Sequence, residues 1–315
     1  MKKFLSITII SLMIISILTG CASTQPTEPG SSPDPADTVV TLPSEDRAGN
    51  EITVPKEINS IISMSPSITE VLVDLGFGDK IIAVDTYSED IPGLPAGIPS
   101  FDMMAPDAEK LVSLNPDIVF ATGMSMSKGN DPFKPIRDMG ICLAYIPSSD
   151  SIQGIYDDIM FISDTMQASQ KGQEIVDNMK TKIAEIKKVS DTITDKKTVY
   201  FEISAEPSLY SFGKGVFLNE MIEIIGATNI LADQESWIAV SDEAVVAANP
   251  DVIITNVDYI ENAVDEIKSR TGWENVTAIK NGDVYYVDKD ASSLSNQNIV
   301  KALEQMAKDI YPDKF

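Results

Sequence analysis

Few side chains in this 315-residue sequence are equipped for covalent chemistry. Histidine is absent, which removes the usual general base and the commonest transition-metal ligand. Of the two cysteines, Cys142 lies between Ile141 and Leu143 in an apolar run that reads as a buried strand, a poor setting for a reactive thiolate. Carboxylates are abundant, at 48 Asp plus Glu, yet no local spacing sets two of them apart as an acid–base pair. Gly213-Lys214-Gly215 lacks the wider glycine spacing and the Ser or Thr after Lys that a phosphate loop needs, so it reads as a turn. What remains is non-covalent recognition, and three aromatics stand where it would occur. Tyr87 lies just past the end of a short apolar run, Phe101 opens the loop Asp102-Met103-Met104, and Trp237 precedes the helix cap Ser241. Rigid aromatic plates beside soft methionines suit a large flat ligand. The pattern calls for no resident cofactor and no protein-bound metal.

Two other residues are marked by position. Glu109 stands six residues before Asn115-Pro116-Asp117, and Glu243 stands six residues before Asn249-Pro250-Asp251. In each copy a short helix must stop where proline cannot continue it, and the β-branched run that follows reads as a buried strand. The duplication predicts two similar lobes. Between the copies, Ile152, Ile155, Ile159, Ile162 and Met166 form one apolar stripe, with Ser149 and Asp150 available to cap it. After a slack patch from Gln167 to Gly172, a second stripe runs through Ile175, Met179, Ile183 and Ile186. That second helix, of about 20 residues, would span roughly 30 Å and brace the lobes.

Strands alternating with helices in each copy imply parallel sheets covered on both faces, hence an α/β fold of two Rossmann-like lobes joined by a long connecting helix. The expected divisions are 39–150 for the N-terminal lobe, 151–195 for the helical connector and 196–315 for the C-terminal lobe. The first lobe opens on a hairpin, Val39–Leu42 against Ile52–Val54, and Ser67 to Glu70 fits a capping box for its first helix. In such sheets ligands bind outside the carboxyl ends of the strands, where all three aromatics fall.

The N-terminus carries an address. Lys2 and Lys3 precede an apolar run from Phe4 to Leu18, too short for a comfortable membrane span, and 1–20 reads as an export leader. The Pro-, Ser- and Thr-rich stretch 21–38 cannot support a core and reads as a flexible tether with a reach on the order of 20 to 25 Å. Losing the two leader lysines takes the formal charge from −24 to about −26, which leaves no electrostatic footprint for nucleic acid. With Cys142 the sole cysteine of the folded body, no internal disulfide can form.

Leu18-Thr19-Gly20-Cys21 resembles the lipobox of bacterial lipoproteins, which implies lipidation at Cys21 and an extracytoplasmic, membrane-anchored body. The chain as a whole resembles the helix-bridged substrate-binding proteins of ABC importers for ferric siderophores, haem and cobalamin. The likeness rests on Arg47-Ala48-Gly49, Ser63 to Glu70, Leu75-Gly76, Glu109 with Asn115-Pro116-Asp117, Gly226-Ala227-Thr228-Asn229, Ser241 with Glu243, and Trp273 with Lys280-Asn281-Gly282. It implies a monomer that captures a metal chelate, moves its lobes little, and docks on a membrane permease through Glu109 and Glu243. It also implies a ligand cleft between the lobes, with Tyr87 and Trp237 in positions that frame the corrin in cobalamin-binding members. The loop from Phe101 to Pro106 departs from the family's patterns, so Phe101 is a ligand-binding candidate on its own residue type and place alone. Haem-holding members commonly use histidine and binders of anionic siderophores tend to use arginine; Arg47, Arg137 and Arg270 are the only arginines here. The likeness therefore leans to a cobalt corrinoid over a ferric siderophore as the transported ligand. Two rival readings are an extracytoplasmic hydrolase built on carboxylates and a structural surface lipoprotein.

Overall fold

The computed structural model describes residues 42–125 and 131–315. The leader, Cys21, the tether and the first strand of the expected hairpin up to residue 41 lie outside the described residues. The first lobe comprises β1 (Ile61–Met64), α1 (Pro66–Asp74), β2 (Ile81–Asp85), β3 (Ser100–Phe101), α2 (Ala108–Ser113), β4 (Ile118–Thr122), α3 (Lys134–Asp138) and β5 (Cys142–Ile146). Its five strands are all parallel, in the order β3-β2-β1-β4-β5. Two helices follow, α4 (Ile152–Thr165) and α5 (Ser169–Ser190). The second lobe comprises β6 (Thr198–Glu202), β7 (Tyr210–Phe212), α6 (Phe217–Ile224), β8 (Thr228–Asn229), β9 (Trp237–Ala239), α7 (Asp242–Ala248), β10 (Val252–Thr255), α8 (Ala263–Lys268), α9 (Thr277–Asn281), β11 (Val284–Tyr286), α10 (Lys289–Ser293) and α11 (Ile299–Ile310). It holds a parallel sheet of order β11-β10-β6-β8 and an antiparallel ribbon of β7 with β9. Two parallel-sheet lobes are thus present, as the alternation of strands and helices predicts.

Period-two alternation places each strand between two cores. In the first lobe Ile61, Ile118 and Phe120 face one apolar cluster while Ile62, Met64 and Val119 face another. In the second lobe Val199, Phe201 and Ile254 join that same first cluster, and Tyr200 and Ile253 face a third built around Trp273. The shared cluster runs through α4, α5 and α11, so the lobes are held by one continuous apolar body and any hinge must work against it.

The Asn-Pro-Asp repeat performs the same task twice. Asn115 and Asn249 take left-handed backbone conformations at φ 50° and 48°, which asparagine tolerates better than most residues, and each proline then bars further helix. The Asp117 carboxylate accepts from the Asn59 and Ser60 backbone N–H groups at 2.7 and 2.9 Å, and the Asp251 carboxylate accepts from the Thr198 N–H at 2.8 Å. Each aspartate thus ties its own strand to the start of the neighbouring central strand. Asp117→Ala, which strands those N–H groups, is expected to destabilise the protein by about 2 kcal/mol in urea unfolding at pH 7. The bonds from Asn59 and Ser60 hold the Asp117 carboxyl below its usual range. Their contribution is therefore present above the unfolded carboxyl pKa of about 4 and is lost as pH falls below it, so the variant and the wild type should converge in stability in acid.

Among the described residues Glu45 and Glu51 form an antiparallel bridge across the opening turn, and the Asp46 carboxylate holds that turn by accepting from the backbone N–H groups of Ala48, Asn50 and Tyr145. Three local expectations are corrected. Helix α1 begins at Pro66 after an N-cap Ser65 that makes no side-chain cap bond, and Glu70 turns away from any capping box to accept from Asn296 and Asn298 of the second lobe. The side chain that caps α4 is Ser151, with Ser149 donating instead to Asp158. The chain turns at Gln167, φ 56°, whereas Gly172 lies inside α5, where an added Cβ would meet Ser163 Oγ at 2.0 Å. That glycine lets α4 and α5 pack closely rather than breaking a helix. Helix α5, at 22 residues, spans about 33 Å.

Candidate ligand cleft and docking face

The carboxyl edges of the two sheets converge. Ser295, in the loop that follows β11 and α10, lines one small cavity with Ser67 beyond β1, Thr122 at the end of β4 and Ile146 at the end of β5. Nearby, the Glu220 carboxylate of α6 accepts from the Ile152 N–H at the start of α4, at 2.9 Å. The strand order of the first lobe reverses between β1 and β4, so this convergence lies where open α/β sheets place their ligands.

On the first-lobe side, Tyr87 is 77% exposed, the most exposed aromatic of the described residues. Its backbone N–H donates to Asp85, a buried carboxylate at the end of β2 whose pKa burial raises despite bonds from Ser88 and Tyr87. Phe101 is paired with Asp85 across β2 and β3, so it sits beside the Tyr87 segment. It is only half-buried, and it packs on the cluster around Met103. The loop beyond places Met104 in solvent.

On the second-lobe side, Trp237 is 44% exposed and meets Phe212 edge-on at 5.8 Å between centroids. It lines an open depression of about 290 Å³ with Ile203, Asn256, Asp258, Tyr259 and Lys289. Tyr259 has its hydroxyl held by the Ala205 N–H at 2.9 Å, which leaves the ring 65% exposed as a second aromatic plate. Tyr87 and Phe101 do not line this depression; they lie in the first lobe, at and beyond the ends of β2 and β3. Sequence reasoning passed over Tyr259, Asn256 and Lys289. Tyr259 follows the buried run Val252–Thr255 by four residues, as Tyr87 follows Ile81–Asp85 by two, and the same strand-end rule applied a little further along would have found it.

The two marked glutamates occupy matching places. Each is the second residue of its helix, behind an N-cap whose side chain is bonded: Asp107 accepts from the Lys110 N–H, and Ser241 accepts from the Ala244 N–H. Both glutamates are exposed. Bonds from its own backbone N–H and from Ser241 lower the Glu243 pKa and keep its charge fixed. Because α2 and α7 each lead into a sheet strand, their starts lie on the carboxyl-edge side of their lobes, flanking the cleft. Trp273 braces the second helix: its indole N–H donates to Asp242 at 2.9 Å, one residue before Glu243.

Cys142, inside β5, is buried, and that burial together with the Asp46 charge pushes its thiol up to about 11, which removes it from nucleophilic chemistry at neutral pH.

Residues 61–291, spanning both sheets and the connector, match the family model described as periplasmic binding protein. The chain belongs to that family. Periplasmic binding proteins bind and deliver solutes rather than transform them, so the hydrolase reading falls. Along its whole length the chain is similar to the ABC transporter substrate-binding lipoprotein YvrC of Bacillus subtilis, itself uncharacterised, at 33% identity over 320 residues covering 100% of this chain and 99% of that one. The vitamin B12-binding protein of Vibrio cholerae is 25% identical over 250 residues, 78% of this chain and 87% of its own. Among solved structures, a possible iron-binding (periplasmic solute-binding) protein of Staphylococcus epidermidis superposes with a TM-score of 0.72 at 30% identity, over 81% of this chain and all of that one.

Proposed function

We propose that this protein captures a metal chelate outside the cell membrane and hands it to the permease of an ABC importer. The observation that carries the reading is the pair of exposed aromatic plates, Trp237 and Tyr259, around a depression at the carboxyl edge of the second sheet, with Tyr87 exposed just past β2 in the first lobe. Exposed aromatics at a converging edge have no packing role that needs their exposure, and flat, partly apolar chelates are what such plates hold. Names of relatives span vitamin B12, Fe(3+)-citrate and molybdate, so kinship supports the mode of action and leaves the chelate to the chemistry of the cleft. That chemistry favours a corrinoid ahead of a ferric siderophore. Attachment through a lipid on Cys21, a flexible tether up to residue 38, and action as a monomer complete the proposal. The full-length likeness to a lipoprotein supports the anchor.

Of the two tryptophans, Trp237 is half-exposed while Trp273 is buried, so fluorescence reports ligand at the first and fold at the second. Titration with cyanocobalamin and with ferric hydroxamate and catecholate complexes is expected to quench emission saturably, with no chemical change in the ligand. Silence from every chelate would defeat the reading. Trp237→Ala is expected to weaken binding about thirtyfold, the loss typical of an aromatic anchor at about 2 kcal/mol, with the melting temperature unchanged.

A further inference from the structure

Resting on that proposed function, we infer that the cleft selects electroneutral or cationic chelates that donate hydrogen bonds, and rejects polyanionic ones. The arginines decide the sign. Arg47 Nε donates to Asp158 at 2.7 Å and its Nη2 lies 3.9 Å from Asp157. Arg137 pairs with Asp131 at 3.2 Å. Arg270 is buried, pairing with Glu202 at 2.6 Å and Glu266 at 2.5 Å. Each guanidinium group is therefore paired with a carboxylate, Arg270 buried and Arg47 and Arg137 partly exposed, and none lines the depression. An anionic chelate needs forked donors of this kind, and they are already taken.

The depression does contain one cation, Lys289, but its ammonium is 2.8 Å from the Asp258 carboxylate, which lines the same wall. The pair leaves that wall without net charge. Asn256 adds direction: its amide donates both protons, to Ser292 at 3.0 Å and Ser293 at 3.1 Å. What it can turn to a ligand is its carbonyl oxygen, an acceptor. Acceptor oxygens and aromatic faces in a wall of zero net charge recognise amide or hydroxyl protons on a chelate, and they repel carboxylate, catecholate and oxyanion charge.

The test is equilibrium titration of the intact folded protein, followed by tryptophan fluorescence, with four probes: cyanocobalamin, a ferric trihydroxamate, ferric citrate and molybdate. Binding of one or both of the first two, at least about a hundredfold tighter than either anion and changing less than about threefold between 50 mM and 500 mM NaCl, is the expected result. Asp258→Asn, which releases Lys289, is expected to raise ferric citrate affinity about tenfold or more while shifting that of the neutral probe less than about threefold. Wild-type affinity for ferric citrate or molybdate equal to that for the neutral probes would overturn the charge selection and leave chelate capture standing. Failure of all four probes would overturn chelate capture itself, and this inference with it.

Discussion

Reversing both marked glutamates, Glu109→Lys with Glu243→Lys, is expected to abolish uptake in a reconstituted importer while leaving the ligand dissociation constant within about twofold. The two side chains are exposed, sit at the second position of equivalent helices, and flank the cleft without lining the depression. A permease of two related subunits would meet them with two matching basic patches. Each surface ion pair is weak alone, so the two together would set register and orientation more than affinity. Reversal adds repulsion at both points to the lost attraction, which is why the double change should have so large an effect. Normal transport by the double variant would refute the docking assignment. Loss of ligand binding would place the glutamates in the cleft instead.

The largest effect on stability is expected at Arg270. Its guanidinium takes the Glu202 carboxylate in a two-pronged pairing at 2.6 and 2.8 Å, holds Glu266, and lies 4.8 Å over the Trp273 ring. Burial opposes the charge on Arg270, yet its bonds to both carboxylates outweigh that and keep it protonated. Arg270→Met would leave Glu202 wholly buried at the end of the central strand β6 with no counter-charge. Breaking one side of a buried pair typically costs about 3 to 5 kcal/mol, or about 10 °C in melting temperature for a body of this size. Replacing both, Arg270→Met with Glu202→Leu, is expected to restore much of that loss, because no charge is then stranded. A loss below about 1 kcal/mol in the single variant would show that the pair is dispensable to the fold. Trp273 also holds Asp242, so the single variant should loosen the start of α7, next to Glu243, as faster amide exchange there.

Much of the molecule is legible in the sequence because its signals are local. Apolar runs bounded by Asn-Pro-Asp, Gly226 and Asn281-Gly282 mark strands and helix ends, since proline, glycine and left-handed asparagine constrain the backbone within two or three residues. Ser241 is legible as a cap for the same reason, and the repeat alone places Glu109 and Glu243 at matching helix starts. Other features have partners far along the chain. Glu70 serves the second lobe rather than a capping box because Asn296 and Asn298 arrive from more than 220 residues away. Gly172 reads as a helix breaker until Ser163 is seen against it. Phe101 and Tyr87 look alike as strand-end aromatics, but only packing settles that one rests on the Met103 cluster and the other stands in solvent. The same holds for charge: three arginines can be counted in a sequence, whereas the pairing of Arg47 with Asp158 and of Arg270 with Glu202 depends on contacts between elements that only the folded chain brings together.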